Sequence, residues 1–341
     1  STRYNKNGMI RLFDKGSLAA KNTEFKNNQA GGDGGIVYAQ MDASTISFEQ
    51  CTFTGNKAAG NGGATYIAED ATITNCKFDA NAAGKNGGAV YNASSANLTV
   101  TGDKTDKSVF ANNKANGVKT VSDGDGTYFG GGAICIGSGS LSVSGYKFTG
   151  NETKADGGAI NNRGTTVTIN DCEFTSNKAV KNTVDGFGGA IFMFQGTLNM
   201  DVDKTTVTTF ESNRATYGGG IYQRTGTATL HNAEFTSNIG DWNGGAFYHK
   251  KAATLKNCKF TSNTAVSKGG AVCTEGGTIT ATNCTFTGNI SNDEGGAYRL
   301  AAGGTGNFTG CTFKNNEAKK TGGGAVKYNS GTLTFDGCTF S

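Results

Sequence analysis

The apolar positions of this chain follow neither a helical stripe nor one long alternation, but a short phrase that returns again and again. A Gly-Gly pair opens a few β-forming residues, a second alternating run follows, and a Phe closes the phrase with Asn three residues later. The Phe/Asn pair stands at 25/28, 53/56, 78/81, 110/113, 148/151, 174/177, 210/213, 235/238, 260/263, 286/289 and 313/316, and a twelfth Phe, Phe340, lies one residue before the end. Between them, Gly-Gly units begin at Gly34, Gly62, Gly87, Gly131, Gly157, Gly188, Gly219, Gly244, Gly269, Gly295 and Gly323, with Gly8-Met9-Ile10 as a degenerate first copy. Most copies are 25 to 28 residues apart. A unit of that length cannot bury its apolar face alone, so neighbouring copies must stack.

The runs are rich in Thr, Val and Ile and too short for a 3.6-residue period, so each copy is expected to form two or three short strands and their turns. Successive copies then pair in parallel, and parallel crossovers are overwhelmingly right-handed. The fold expected is all-β, a right-handed parallel β-helix of about 12 coils, a single domain over residues 1–341. At about 4.8 Å per coil it makes a rod about 55 to 60 Å long. Proline is absent and Gly numbers 54, which suits coils that must donate backbone hydrogen bonds on both sides.

Register then assigns structural roles. Phe53, Phe78, Phe260 and Phe286 are expected to stack one above another, and Asn56, Asn81, Asn263 and Asn289 to form a ladder of side-chain amides at a turn. The Gly-Gly pair marks a corner where a positive φ or a close approach excludes a Cβ. Seven of the nine cysteines, Cys51, Cys76, Cys172, Cys258, Cys284, Cys311 and Cys338, lie two residues before the repeat Phe and share its face. They read as a buried thiol ladder, with disulfides between adjacent coils as the alternative; Cys135 and Cys273 share a second slot, two residues after the Ala of Gly-Gly-Ala.

Charge removes some functions. The net charge of +4 is spread thinly, with no basic cluster to neutralise a row of phosphates, so nucleic acid is not an expected partner. No apolar run approaches the roughly 20 residues of a membrane span.

Gly87-Gly88-Ala89-Val90 alternating with Phe78-Asp79-Ala80-Asn81 closely resembles the repeats of chlamydial polymorphic outer membrane proteins, and the resemblance runs over residues 8 to 340. It implies a secreted protein whose β-helix is displayed at the cell surface as an adhesin, meeting a glycan or protein of a host or neighbouring cell. A Ser1 placed after Ser341 would put Gly8 nine residues beyond Phe340, the internal spacing. That register fits a segment of a longer array, or subunits that associate head to tail into a filament or sheath.

Candidate contact points lie where the repeat is interrupted, at residues 114–129 and 179–187 and at two similar segments, 101–106 and 201–206. Phe187, Tyr217 and Trp242 precede the Gly-Gly corner on three consecutive coils, with Tyr128 and Phe129 two coils earlier. With Asp241 they form the candidate glycan- or partner-binding site, set against the plainer reading that they cover apolar surface. Parallel β-helices also host polysaccharide lyases and glycoside hydrolases, which is the alternative function. Acidic residues gather instead at the corner turns, as Asp33, Asp156, Asp185, Asp241, Asp293 and Glu294, so no catalytic residue is assigned; Asp201 and Asp203 would be the pair to test. His231 and His249 read as solvated strand residues, Ser122–Thr127 as a faint calcium loop, and no metal or cofactor is expected.

Overall fold

The computed structural model describes residues 6–41, 45–119, 130–180, 185–202, 204–301, 303–320 and 322–341. The segment Ser122–Thr127, Tyr128, Phe129 and Asp203 lie outside the described residues.

Each coil is cut into strands by single residues in the left-handed region. In one coil the strands are Thr65–Ile67, Ala71–Thr74, Lys77–Asp79 and Ala82–Ala83. Asn75 (φ +49) bends the chain after the second strand and Ala80 (φ +54) after the third. The same two slots elsewhere hold mostly Asn, Ser, Asp or Gly, the residues that reach this conformation most cheaply. Repetition of this plan gives three 12-stranded sheets and an 11-stranded fourth, every strand paired in parallel with its counterparts one coil away. A fourth strand per coil exceeds the two or three expected from sequence. At two residues, as in Lys57–Ala58, it is too short to show an alternation.

The two corner glycines have separate duties. Gly87 takes φ +63, whereas a Cβ on Gly88 would strike the carbonyl oxygen of Gly132 in the next coil. In the triple-glycine copy the positive φ falls on Gly218, so that unit begins one residue earlier than its sequence suggests, and Gly220 takes the place of the inward Ala.

Inside, twelve Phe rings from Phe25 to Phe340 form one continuous stack with centroids 4.3 to 5.1 Å apart. Beside it runs the Asn ladder. Asn81 Nδ2 donates to Asn113 Oδ1 (3.0 Å) and to the carbonyl of Phe53 (2.9 Å), while its own Oδ1 accepts from the backbone and side-chain nitrogens of Asn56. All four hydrogen-bonding positions of the carboxamide are filled, which is how a polar side chain with no exposed surface avoids a desolvation penalty. Asn56, Asn263 and Asn289 repeat the pattern.

The cysteines are free thiols, buried except for Cys338 in the last coil. Cys51 N–H donates to Cys76 Sγ at 3.2 Å, and Cys284 N–H to Cys311 Sγ at 3.4 Å. Burial pushes the Cys76 and Cys172 thiols up to about 12, so neither supplies a thiolate at neutral pH.

His249 overturns its sequence reading. It points inward from the first sheet with no exposed surface, between Gln223 and Thr274 in a row that also carries Asn92 and Asn162 and, between them, the apolar Ile136 and Met193. Nδ1 meets the Lys251 carbonyl at 2.9 Å and Nε2 meets the Thr274 hydroxyl at 2.6 Å, which in turn accepts from Tyr298 Oη. The neutral Nδ1–H tautomer satisfies both contacts: it donates to the carbonyl and accepts from the hydroxyl. Burial lowers the imidazole to about 4, opposed by the Lys251 carbonyl.

The sign follows from linkage. Above pH 6.5 neither state is charged, whereas between 6.5 and 4 the unfolded chain binds a proton that the folded one refuses. His249 should therefore cost about 3 kcal/mol of stability, accumulated as pH falls through that window and constant below it. His249→Gln, which places here the residue that Gln223 provides one coil earlier, should flatten this part of the profile in urea unfolding. Parallel wild-type and variant profiles would contradict this assignment.

Candidate functional site

Against the repeated coil plan the places that differ stand out, and several of them meet on the outer face of the first sheet beside the Gly-Gly corner. Register aligns one outward row on this sheet. It passes through Tyr38, Tyr66 and Tyr91, whose stacked rings lie 4.9 and 5.4 Å apart, and later through Phe192, Tyr222 and Tyr248. The first three rings are half-exposed; the second three are buried, and with Cys273 and the overlying Phe187 they form a hydrophobic cluster separate from the main core. Tyr222 stacks on Phe187 at 4.6 Å and on Tyr248 at 5.0 Å, and Tyr217 meets Phe187 and Tyr248 edge-on.

A buried ion pair holds Phe187 there. Lys119 Nζ lies 3.2 Å from Asp156 Oδ1 and 3.7 Å from the centroid of the Phe187 ring, and it donates to the Asp185 carbonyl. Asp156 Oδ1 also accepts the backbone N–H of Phe187 at 3.0 Å. Lys119 and Asp156 are 1% and 0% exposed, so the pair ties three successive coils in a region closed to water.

Between these parts opens a cleft of about 310 Å³ lined by Asp185, Phe187, Tyr217, Tyr222, Asn243, Tyr248, Lys250 and Glu275. Its edge is formed by an irregularity. Phe187 pairs with Tyr217, but Tyr217 pairs with Asn243 because the register slips where Ala215 and Tyr217 face Gly240 and Asn243. The slip brings Asn243 to the cleft, where its Oδ1 is buried with no hydrogen-bond partner.

The same slip separates the residues that sequence had grouped. Phe187 and Tyr217 meet as expected in neighbouring coils, but Trp242 falls one position out of line with them and is 51% exposed, outside the cleft. Asp241 is engaged by Arg214, whose Nε lies 3.0 Å from both carboxylate oxygens, along a different groove. The expected line of three rings is therefore corrected to a pair of rings with Asn243 beside them. Tyr222 and Tyr248 were missed, although an aromatic at the same offset in three consecutive coils carried the signal. Other corner acids also have local partners: Asp33 Oδ1 accepts the N–H of Asn61, and Glu294 pairs with Arg299 at 2.6 Å and with Lys268 at 3.8 Å.

Among the described residues, no group of three or more His, Cys, Asp or Glu is placed to hold a metal ion, and no helix is long and apolar enough to cross a membrane. His231 lines a separate groove with Lys204, Lys256 and Lys259.

Two family descriptions match the chain. A right-handed β-helix region matches residues 200–341, and the Chlamydia polymorphic membrane protein repeat matches residues 50–68, which contain Phe53, Asn56 and the Gly62-Gly63 corner. The handedness expected from parallel crossovers agrees with the first, and the family resemblance with the second. No curated protein and no solved structure matches.

Proposed function

We propose that this chain is an extracellular, non-enzymatic β-helical element of a cell surface, structural and adhesive in role, which holds its irregular face toward a glycan or protein of another cell. The observation that supports this most is the twelvefold repeat itself, of the polymorphic-membrane-protein type, whose inward polar ladder is spent on structural bonds. Contact is left to the outer faces and interrupting segments. Antibody raised against the chain should label intact source cells, and beads coated with the chain should adhere to host or neighbouring cells. Label that appears only after permeabilisation would overturn the surface reading.

The alternative, a polysaccharide lyase or hydrolase, requires an accessible carboxylate pair. Asp201 has no exposed surface, and its Oδ1 accepts from Asp171 N–H of the preceding coil at 2.9 Å and from the Thr206 hydroxyl of its own turn at 2.6 Å. Cleavage products from polyuronide or neutral glycan incubated with the chain would replace the adhesive reading with the enzymatic one. In the last coil Phe335 and Phe340 are 36% and 49% exposed. Electron microscopy of native material decides whether a second copy or continuing chain covers them: filaments with an axial repeat of about 55 to 60 Å mean head-to-tail stacking.

A further inference from the structure

We infer that the groove beside His231 binds an anionic glycan, whose sulfate or uronate groups meet the ammoniums of Lys204 and Lys256; this rests on the adhesive reading and names the chemistry of its contact. The lysines of the groove stand far apart in sequence. Stacking gathers them, because strand pairing sets His231 beside Lys256 and Glu234 beside Lys259 on successive coils, and Lys204 arrives on the interrupting segment of the coil before.

That segment is a fixed wall. Lys204 N–H donates to the Asp201 carbonyl at 3.1 Å, and the Lys204 carbonyl accepts Asn232 Nδ2 of the next coil at 2.7 Å. Asp201 is itself fastened to Asp171 N–H of the coil behind. A groove of about 490 Å³ follows, running along the turn between the second and third sheets. Segments that interrupt a rigid repeat are where contact residues collect.

Charge decides what enters. Glu234 is the one carboxylate lining the groove among the described residues, and Lys259 holds it at 2.8 Å. Lys204 and Lys256 are exposed and meet no acidic partner among the described residues, so two positive charges are left facing the groove. Other coils at this turn differ. Lys21 pairs with Glu49 at 2.8 Å, Lys104 pairs with Asp171 at 2.7 Å, and the next coil sets Thr282 and Thr285 in the places of Lys256 and Lys259.

The remaining lining narrows the class of anion. No Phe, Tyr or Trp lines the groove, so the bases of a nucleic acid strand find no such ring to stack on. Val207 alone is apolar, which leaves no pocket for an acyl chain or the hydrophobic anchor of a protein partner. Thr205 and Asn257 are exposed and offer hydroxyl and amide groups to sugar hydroxyls between the anionic groups.

The test is calorimetric titration, over a range of salt concentrations, with chondroitin sulfate, hyaluronan and neutral maltose oligosaccharides of equal length and with a single-stranded oligonucleotide. Saturable binding of at least one of the two anionic glycans is expected, and none of the neutral one. Lys204→Gln combined with Lys256→Gln should weaken it about tenfold or more and lower the slope of log affinity against log salt by about one to two. Lys319→Gln combined with Lys320→Gln removes equal charge from exposed positions outside the groove and should leave affinity within about twofold. Thermal melting of both double variants should match wild type. Failure to bind either anionic glycan, equal loss in the two double variants, or an oligonucleotide bound as tightly with the same lysine dependence overturns the inference. Coated beads separate the two levels: if the variant lacking Lys204 and Lys256 still adheres to cells, the adhesive reading survives and the groove is not its contact. If wild type binds anionic glycan but no cell, the adhesive reading falls and the site stands.

Discussion

Asn263→Ala is expected to destabilise its part of the rod by about 3–5 kcal/mol, more than loss of a solvent-exposed polar side chain elsewhere on the coil. The carboxamide makes four hydrogen bonds. Nδ2 donates to the Phe235 carbonyl (2.9 Å) and to Asn289 Oδ1 (3.0 Å), and Oδ1 accepts from Asn238 N and Nδ2, both at 3.0 Å. Truncation strips partners from polar groups on both neighbouring coils, all without access to water. Asn263→Asp should be worse than Ala, because a carboxylate would replace the donating nitrogen with an acceptor facing the Phe235 carbonyl and Asn289 Oδ1.

The damage should be local as well as large. Each coil touches only its neighbours, so amide exchange should accelerate in the coils around Phe235, Phe260 and Phe286, and far less near Phe53. Urea unfolding read by hydrogen exchange and mass spectrometry gives both magnitude and place. A loss under about 1 kcal/mol, or one spread evenly along the rod, would show that the ladder contributes register rather than stability.

The ladder was legible in sequence because Phe and Asn three residues apart recur with a Gly-Gly corner, and one parallel register carries every copy onto the next. What the spacing could not reveal are features that arise from contacts between coils. The fourth strand has two residues and no alternation to detect. His249 follows Tyr248 in a stretch that reads as half-solvated, yet the row it joins is set by Gln223 below and Thr274 above. The slip at Tyr217 shifts Trp242 out of line and brings Asn243 in, and a spacing count between motifs absorbs one extra residue without showing where it falls. Lys119 gave no signal, because its partners Asp156 and Phe187 lie one and two coils further along the chain.

That lysine carries the second large effect. Lys119→Met should open the strap over the first sheet at a cost of about 3–5 kcal/mol, because Asp156 would remain buried and charged with its cation gone. Asp156→Asn alone should be costly for the mirrored reason, because the buried ammonium beside the Phe187 ring would lose the Asp156 carboxylate. The double variant removes both charges and keeps an oxygen to accept the Phe187 N–H, so it should recover most of the loss. Salt separates this pair from an exposed one: raising ionic strength should weaken Lys259–Glu234, whose side chains are 61% and 37% exposed, and leave Lys119–Asp156 nearly unchanged. A single variant as stable as wild type would mean that the pair gains no more than its desolvation costs and that ring packing alone holds Phe187 in place.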